Sequence, residues 1–210
     1  MNKNLLPIAK FGVAKISYAL ILLVVFLVLD FDVLSFITFV ITLALVYIYR
    51  NPEREVVLFE KNSVVTPCDG TVVSIEELEN EEYAYKVTIE NNFKDVGVLR
   101  APMNSKLTYV KLTRGAKTSV VSPLFEKINE NATLVFEDEN THKVKIVHRM
   151  KQNLDNLSVD ALSAQMFAQG TRYGFMANGV TTIYLPQNFR LSLNIGNEVE
   201  ASQTLIGYFS

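Results

Sequence analysis

Side chains able to start chemistry are few in this chain: Cys68, Asp69, Arg100, His142, His148 and the hydroxyl of Thr181. A thiol becomes a nucleophile as its thiolate, which needs a cationic neighbour or an imidazole. No partner histidine is identifiable for Cys68, so a small buried thiol is expected there. Asp69 stands before Gly70 at the head of a strand, a pair whose ordinary work is turn formation. His142 belongs to the polar turn Glu139-Asn140-Thr141-His142 and is expected to be solvated, whereas His148 ends a strand and reads as a structural imidazole. Arg100 has the fork that holds a phosphate, or equally a carboxylate in a structural ion pair. Thr181 has a hydroxyl that can attack the carbonyl before it, but it is β-branched and follows Val180, a crowded junction. None of the nine glycines is followed by a serine; they precede Val13, Thr71, Val98, Ala116, Thr171, Phe175, Val180, Asn197 and Tyr208.

Composition narrows the classes. The 20 Lys+Arg and 22 Asp+Glu are nearly balanced, and no basic block offers a nucleic-acid surface. The acidic runs from Glu76 to Glu82 and Glu137-Asp138-Glu139 lack the alternating oxygen ligands and central glycine of a calcium loop, so they read as solvated rims and no metal is expected. The single cysteine excludes an internal disulfide and suits a reducing compartment.

The elements that must position these groups differ sharply along the chain. From Ile16 to Leu29 every residue but Ser17 is apolar or aromatic, with apolar character reaching back to Phe11; Asp30-Phe31-Asp32 interrupts, and Val33 to Tyr49 is again apolar. Hydrophobicity on all sides marks helices surrounded by lipid or buried, and crossing a bilayer takes roughly 20 residues. The first segment reaches that length with Lys15 snorkelling to the interface. Lys3, Lys10 and Lys15 precede the pair, Arg50, Arg54 and Lys61 follow it, and the tip carries Asp30 and Asp32. That asymmetry predicts a hairpin over residues 1–50 with both ends on the cytoplasmic side of the inner membrane. An interfacial, non-spanning hairpin is the rival topology.

Residues 51–210 read as a mainly β domain with small helices. Short runs rich in Val, Thr, Ile and Tyr are separated by turn residues. Strands are predicted at Val56–Phe59, Thr71–Ile75, Tyr83–Ile89, Leu107–Leu112, Thr133–Phe136, Val144–His148, Thr182–Leu185, Leu191–Ile195 and Leu205–Phe209. Ser158–Gln169 reads as a helix, with Ser158 as cap and Leu162 and Met166 on one face. The glycine turn opening a strand at Asp69-Gly70 and the late turn at Gly196-Asn197 are similar to the barrel-sandwich modules of biotinyl and lipoyl carriers. The turn Asn178-Gly179 has no lysine to carry a prosthetic group, so the similarity bears on fold and not on carrier function.

Read in order, the pieces resemble one family. The apolar hairpin is followed by Tyr49-Arg50-Asn51-Pro52-Glu53-Arg54, then Pro67-Cys68-Asp69-Gly70, Arg100-Ala101-Pro102, Asn129-Glu130, Arg172-Tyr173-Gly174 and Tyr184-Leu185-Pro186. This order and spacing is similar to a short-form phosphatidylserine decarboxylase over nearly the whole chain. The resemblance implies phospholipid metabolism and a pyruvoyl group, the electron sink for decarboxylation, made when a serine following glycine attacks the glycine carbonyl with a histidine as base and an aspartate behind it. The family aspartate matches Asp69. The family histidine, three residues before the arginine of Arg-Ala-Pro, falls on Gly97; the self-cleaving serine, eight residues after the arginine of Arg-Tyr-Gly, falls on Val180, after Gly179. Counting back from Tyr184-Leu185-Pro186 moves the junction to Asn178-Gly179, and neither register contains the serine.

Three readings follow. In the first, the chain is a non-processing, inactive family member at the membrane, with Asp69 vestigial and no cofactor, binding anionic phospholipid through groups such as Arg100 or assembling with enzymes of phosphatidylethanolamine synthesis. In the second, it is an active decarboxylase with an atypical cleavage site, using Thr181 in place of the serine or another route, and an α-keto group of the pyruvoyl kind forms. In the third, it is a membrane-anchored barrel-sandwich adaptor without a lipid role. The sequence carries no sign of oligomeric state.

Overall fold

The computed structural model describes residues 7–54, 57, 59, 60, 62–79, 82–153 and 155–210. The chain separates into two units, Met1–Glu53 and Arg54–Ser210.

The first unit is a pair of helices, α1 (Lys10–Val28) and α2 (Asp32–Ile48). Few of their residues are buried, Gly12 and Ile16 on α1 and Ser35, Thr38 and Thr42 on α2, with Gly12 lying against Tyr49, while many large apolar side chains are exposed. The two threonine hydroxyls are satisfied within their own helix, Thr38 Oγ1 donating to the Leu34 carbonyl and Thr42 Oγ1 to the Thr38 carbonyl, each at 2.8 Å, whereas Ser35 Oγ is buried with no hydrogen-bond partner. Lys15 is held at the helix ends, its Nζ donating to the Tyr49 hydroxyl at 2.7 Å. With 19 residues, α1 is long and apolar enough to cross a membrane; α2 is a shorter apolar helix of 17.

The second unit is built of antiparallel strands: β1 (Ser63–Val65), β2 (Gly70–Glu77), β3 (Tyr85–Asn91), β4 (Val98–Arg100), β5 (Ser105–Thr113), β6 (Asn131–Glu137), β7 (Lys143–Met150), β8 (Ser158–Val159), β9 (Met166–Phe167), β10 (Arg172–Phe175), β11 (Gly179–Leu185), β12 (Phe189–Leu191), β13 (Glu198–Val199) and β14 (Leu205–Phe209). One short helix, α3 (Phe125–Ile128), lies between β5 and β6. The main sheet runs β13-β2-β3-β11-β7-β6-β5-β9, and two three-stranded sheets run β1-β14-β12 and β4-β10-β8. The predicted mainly β class with an N-terminal two-helix hairpin is therefore found.

Alternation explains the core. Along β6 every second residue is buried, and Ala132, Leu134 and Phe136 meet Val144 and Ile146 of β7, Val87 and Ile89 of β3 and Ile183 of β11. Each such side chain removed from water contributes about 1.5–3 kcal/mol. β11 is central and almost wholly buried, paired with β3 on one side and β7 on the other. Gly70, at φ 147°, lets β2 pass so close to the Glu90 backbone that a Cβ there would collide with the Glu90 carbonyl.

The structure corrects several sequence expectations. Ser158–Gln169 is not a helix. Its ends are recruited by two different sheets, Ser158 and Val159 pairing with Phe175 and Gly174 while Met166 and Phe167 pair with Lys106 and Ser105. Between them Ala164 adopts φ 69°, and Leu162 and Met166, whose spacing suggested a helical face, are exposed. Leu191–Ile195 is not one strand either: β12 ends at Leu191, and the chain turns through Asn194 to Asn197. The strand expected at Val56–Phe59 includes residues 56 and 58, which lie outside those described, and Val57 and Phe59 have no strand assignment. β11 begins at Gly179, not Thr182, so Val180 and Thr181 belong to a strand rather than to the preceding turn.

Candidate functional site

The position of β11 decides which groups meet. Along it the side chains alternate: Thr181, Ile183 and Leu185 face the core, whereas Val180 and Thr182 face a groove on the other side of the sheet. The register puts Thr181 directly beside His148 of β7 and Ile89 of β3. On the core side, Thr181 Oγ1 lies 2.8 Å from His148 Nδ1, and His148 Nε2 lies 2.7 Å from the Tyr173 hydroxyl on β10. Cys68, in the segment entering β2, is hydrogen-bonded to Thr181 as well. All of these residues are buried, so four side chains that are far apart in sequence form one dry chain of polar groups.

The electrostatics keep that chain neutral. Burial pushes His148 down to about 3, and burial raises the Cys68 thiol to about 12 against the opposing hydrogen bond from Thr181, with Asp69 and Asp95 adding to the rise. Burial, and secondarily Cys68, also holds the Tyr173 phenol well above its usual range. A neutral imidazole has one donor and one acceptor nitrogen. With Tyr173 donating to Nε2, Nδ1–H donates to Thr181, whose hydroxyl is then left to donate to the Cys68 sulfur. In this arrangement, assigned from the network, every group is satisfied. The nitrogen facing Thr181 then carries a proton.

The positions matching the decarboxylase pattern are occupied differently. At Gly97 a Cβ would sit 2.8 and 2.9 Å from Cε2 and Cζ of Phe175 and 3.1 Å from the Met176 carbonyl, so the aromatic ring already fills the space in which a side chain would start. At Gly179 a Cβ would stand 2.6 Å from the Arg149 carbonyl. Val180 turns away from His148 and into the groove.

Asp69 is a clamp. Its Oδ2 lies 2.5 Å from Arg54, its Oδ1 accepts from the Ala201 amide at 2.9 Å, and Arg54 also donates to the Ala201 carbonyl at 2.8 Å. These partners come from both ends of the unit rather than from the local turn that Asp69-Gly70 suggested. Arg100 is buried, with Nη1 3.3 Å from the Gly170 carbonyl, and is not among the residues lining the groove. His142 is not simply solvated: Nδ1 lies 2.9 Å from Asp138 Oδ2 and the ring stacks on Phe209 at 4.2 Å.

The groove has a volume of about 470 Å³, with a floor that includes Thr88, Glu90, Arg149, Val180 and Thr182. Phe125 closes one side, 5.8 Å beneath the Arg149 guanidinium. Glu90 is engaged by Lys151 at 2.6 Å and Glu76 by Lys86 at 3.1 Å, whereas Arg149 Nε is buried with no hydrogen-bond partner. Sequence reading missed this groove and the Thr181–His148 pair. Alternation along β11 could have separated Val180 from Thr181, but the register against β7 leaves no mark in the sequence.

Comparison with known proteins bears on the family. A family model described as phosphatidylserine decarboxylase matches residues 41–207. Among curated relatives, the phosphatidylserine decarboxylase proenzyme of Desulfotalea psychrophila is 28% identical, with 96% of each chain covered. That of Geotalea uraniireducens is 28% identical with 98% of each covered, and that of Geobacter sp. strain M21 is 32% identical with 93% of this chain and 91% of the relative covered. By the extent of that match, this chain belongs to the phosphatidylserine decarboxylase family.

Proposed function

We propose that this chain is a family member that stays in one piece, forms no pyruvoyl group and does not decarboxylate, and that it holds an anionic phospholipid at the cytoplasmic face of a membrane. The observation that carries the first part is the Phe175 ring standing where a side chain on Gly97 would begin. The place of the family base is both chemically empty and sterically closed, and Val180 offers no hydroxyl to activate. The residues present do not fit the cofactor.

The Thr181–His148 contact favours a second reading, with Thr181 as nucleophile and His148 as base. Three physical points weigh against it. A base held down at about 3 accepts a proton poorly. The imidazolium it would form has Tyr173 behind it, not the carboxylate that stabilises a catalytic histidine. And Nδ1 already donates to Thr181 in the arrangement that satisfies Cys68 as well. Intact mass decides: one chain of 23.7 kDa with an ordinary N-terminus is expected. Two fragments divided near residue 180, the smaller beginning with an α-keto group, would overturn the reading.

For the lipid, Arg149 supports the assignment, a guanidinium on the floor of a groove beside hydroxyls of Thr88 and Thr182, suited to a phosphate or carboxylate. Positive charge on both flanks of the hairpin and acids at its tip support the cytoplasmic side. In that place the protein serves phosphatidylethanolamine synthesis by presenting lipid to, or assembling with, enzymes of that route. The full chain in detergent should capture phosphatidylserine over phosphatidylcholine. Equal capture would favour the adaptor without a lipid role.

A further inference from the structure

The loop between β5 and β6 is pinned at its base by side-chain hydrogen bonds. At its base Asn129 uses its whole side chain: Oδ1 accepts from the Thr118 amide at 3.2 Å and from its hydroxyl at 2.7 Å, while Nδ2 donates to the carbonyls of Thr118 at 3.0 Å and Met150 at 2.8 Å. Ala116 exchanges backbone bonds with Ile128 and Glu130, and the buried Glu130 carboxylate engages Arg114 and, at 3.9 Å, Lys117. The tip makes backbone bonds of its own, Ser122 bonding back to Ser119, Phe125 to Ser122, and Lys127 and Ile128 to Leu124.

What this rigid base carries is apolar and unprotected. Val121 is 91% exposed, Leu124 49%, Val120 44% and Ile128 41%. Single exposed apolar residues are ordinary, but four within nine positions on a pinned loop form a patch. Of the nearby cations, Arg114 and Lys117 engage the buried Glu130, Lys117 also donates to the Asp155 carbonyl and to Asn156, and Lys127 follows Glu126 in the chain. Exposed apolar tips on a pinned loop have the composition of an interfacial anchor.

Covalent connectivity limits how far the β unit can lie from the hairpin. Only five residues separate Ile48, the end of α2, from Arg54, where the β unit begins. A chain that short spans roughly 20 Å, so a bilayer holding the hairpin stays within reach of the β unit. We propose that the Thr118–Ile128 loop inserts its tip, Val121 and Leu124 foremost, into the lipid interface as a second membrane contact. This rests on the reading of the hairpin as a membrane anchor, and the test separates the two.

The full chain is reconstituted in phosphatidylethanolamine–phosphatidylglycerol vesicles, with the fluorophore NBD attached at Val121→Cys, at Ile37→Cys in α2, or at Asn140→Cys in the exposed turn before β7. Cys68 is buried and is left unlabelled. Acyl chains brominated near the head group should quench the probe at 121 roughly twofold or more, matching an insertion depth of about 5–10 Å, and leave the probe at 140 untouched. Quenching at 37 but not at 121 overturns the loop contact while leaving the hairpin anchored. Quenching at 121 but not at 37 supports the loop and removes the hairpin reading. Quenching at neither overturns both. A blue shift at 121 without lipid quenching also overturns it, because a protein surface then covers the tip.

Discussion

Thr181 Oγ1 and His148 Nδ1, both fully buried on neighbouring strands, stand 2.8 Å apart, and the partner of the other ring nitrogen is a phenol and not a carboxylate. The pair has the spacing of a nucleophile and its base, yet the surroundings keep both neutral. Its consequence is structural. Thr181→Val keeps the shape and removes the hydroxyl, leaving His148 Nδ1 and the Cys68 thiol short of a partner. A buried polar group left unsatisfied costs about 1–3 kcal/mol. Thermal unfolding in detergent should show that loss, with Thr181→Ser close to the parent. Intact mass should be that of a single chain in all three; cleavage of the parent that vanishes in Thr181→Val would show that the hydroxyl is catalytic after all.

The depressed value at His148 has a pH signature. The group binds its proton at about 3 when folded and near the ordinary imidazole value of about 6.5 when unfolded, so between those limits the unfolded chain binds more protons. Stability from this group is therefore fully present above about 6.5 and is lost as pH falls toward 3. The slope approaches about 1.4 kcal/mol per pH unit. His148→Gln should flatten the profile between pH 6.5 and 4.5 relative to the parent, read as the difference between their unfolding free energies. Parallel profiles would mean that the imidazole is not held neutral.

The junction itself can be tested by restoring single residues. Val180→Ser supplies a Gly-Ser bond, but the new hydroxyl faces the groove and Gly97 leaves no family base beside it. The variant is expected to remain one chain by mass. Gly97→His alone meets the Phe175 ring and should lose about 1–3 kcal/mol through overpacking, without cleavage. Self-cleavage of Val180→Ser would show that another group can serve as base, and the argument from the closed Gly97 position would fall, leaving the missing hydroxyl as the ground for inactivity.

Much of this was legible from residue types. The hairpin is written in continuous apolar runs broken at Asp30-Phe31-Asp32, and the long strands β5, β6 and β7 in their alternation. Motif order alone showed the family. Ser158–Gln169 was not legible, because its ends are claimed by the edges of two separate sheets and no local preference encodes that choice. The Thr181–His148 pair was hidden for a related reason: it depends on the register of β11 against β7, fixed by burial of Ile183 and Leu185 with Ile146. Asp69 was visible as a turn residue, but its partners Arg54 and Ala201 lie in segments that meet it only after folding.

That clamp gives the last prediction. Arg54 and Asp69 are both largely withdrawn from solvent, with side-chain exposures of 7% and 11%. An ion pair in such a place stabilises little compared with apolar packing, but removing one partner strands the other charge. Asp69→Asn should therefore cost about 3 kcal/mol, at the lower edge for a buried pair because some exposure remains. Arg54→Met together with Asp69→Asn removes the stranded charge and should recover part of the loss. Urea unfolding of the single and double variants measures the difference. Full stability of the single variant would show that Asp69 is not a clamp and would return attention to it as a catalytic residue.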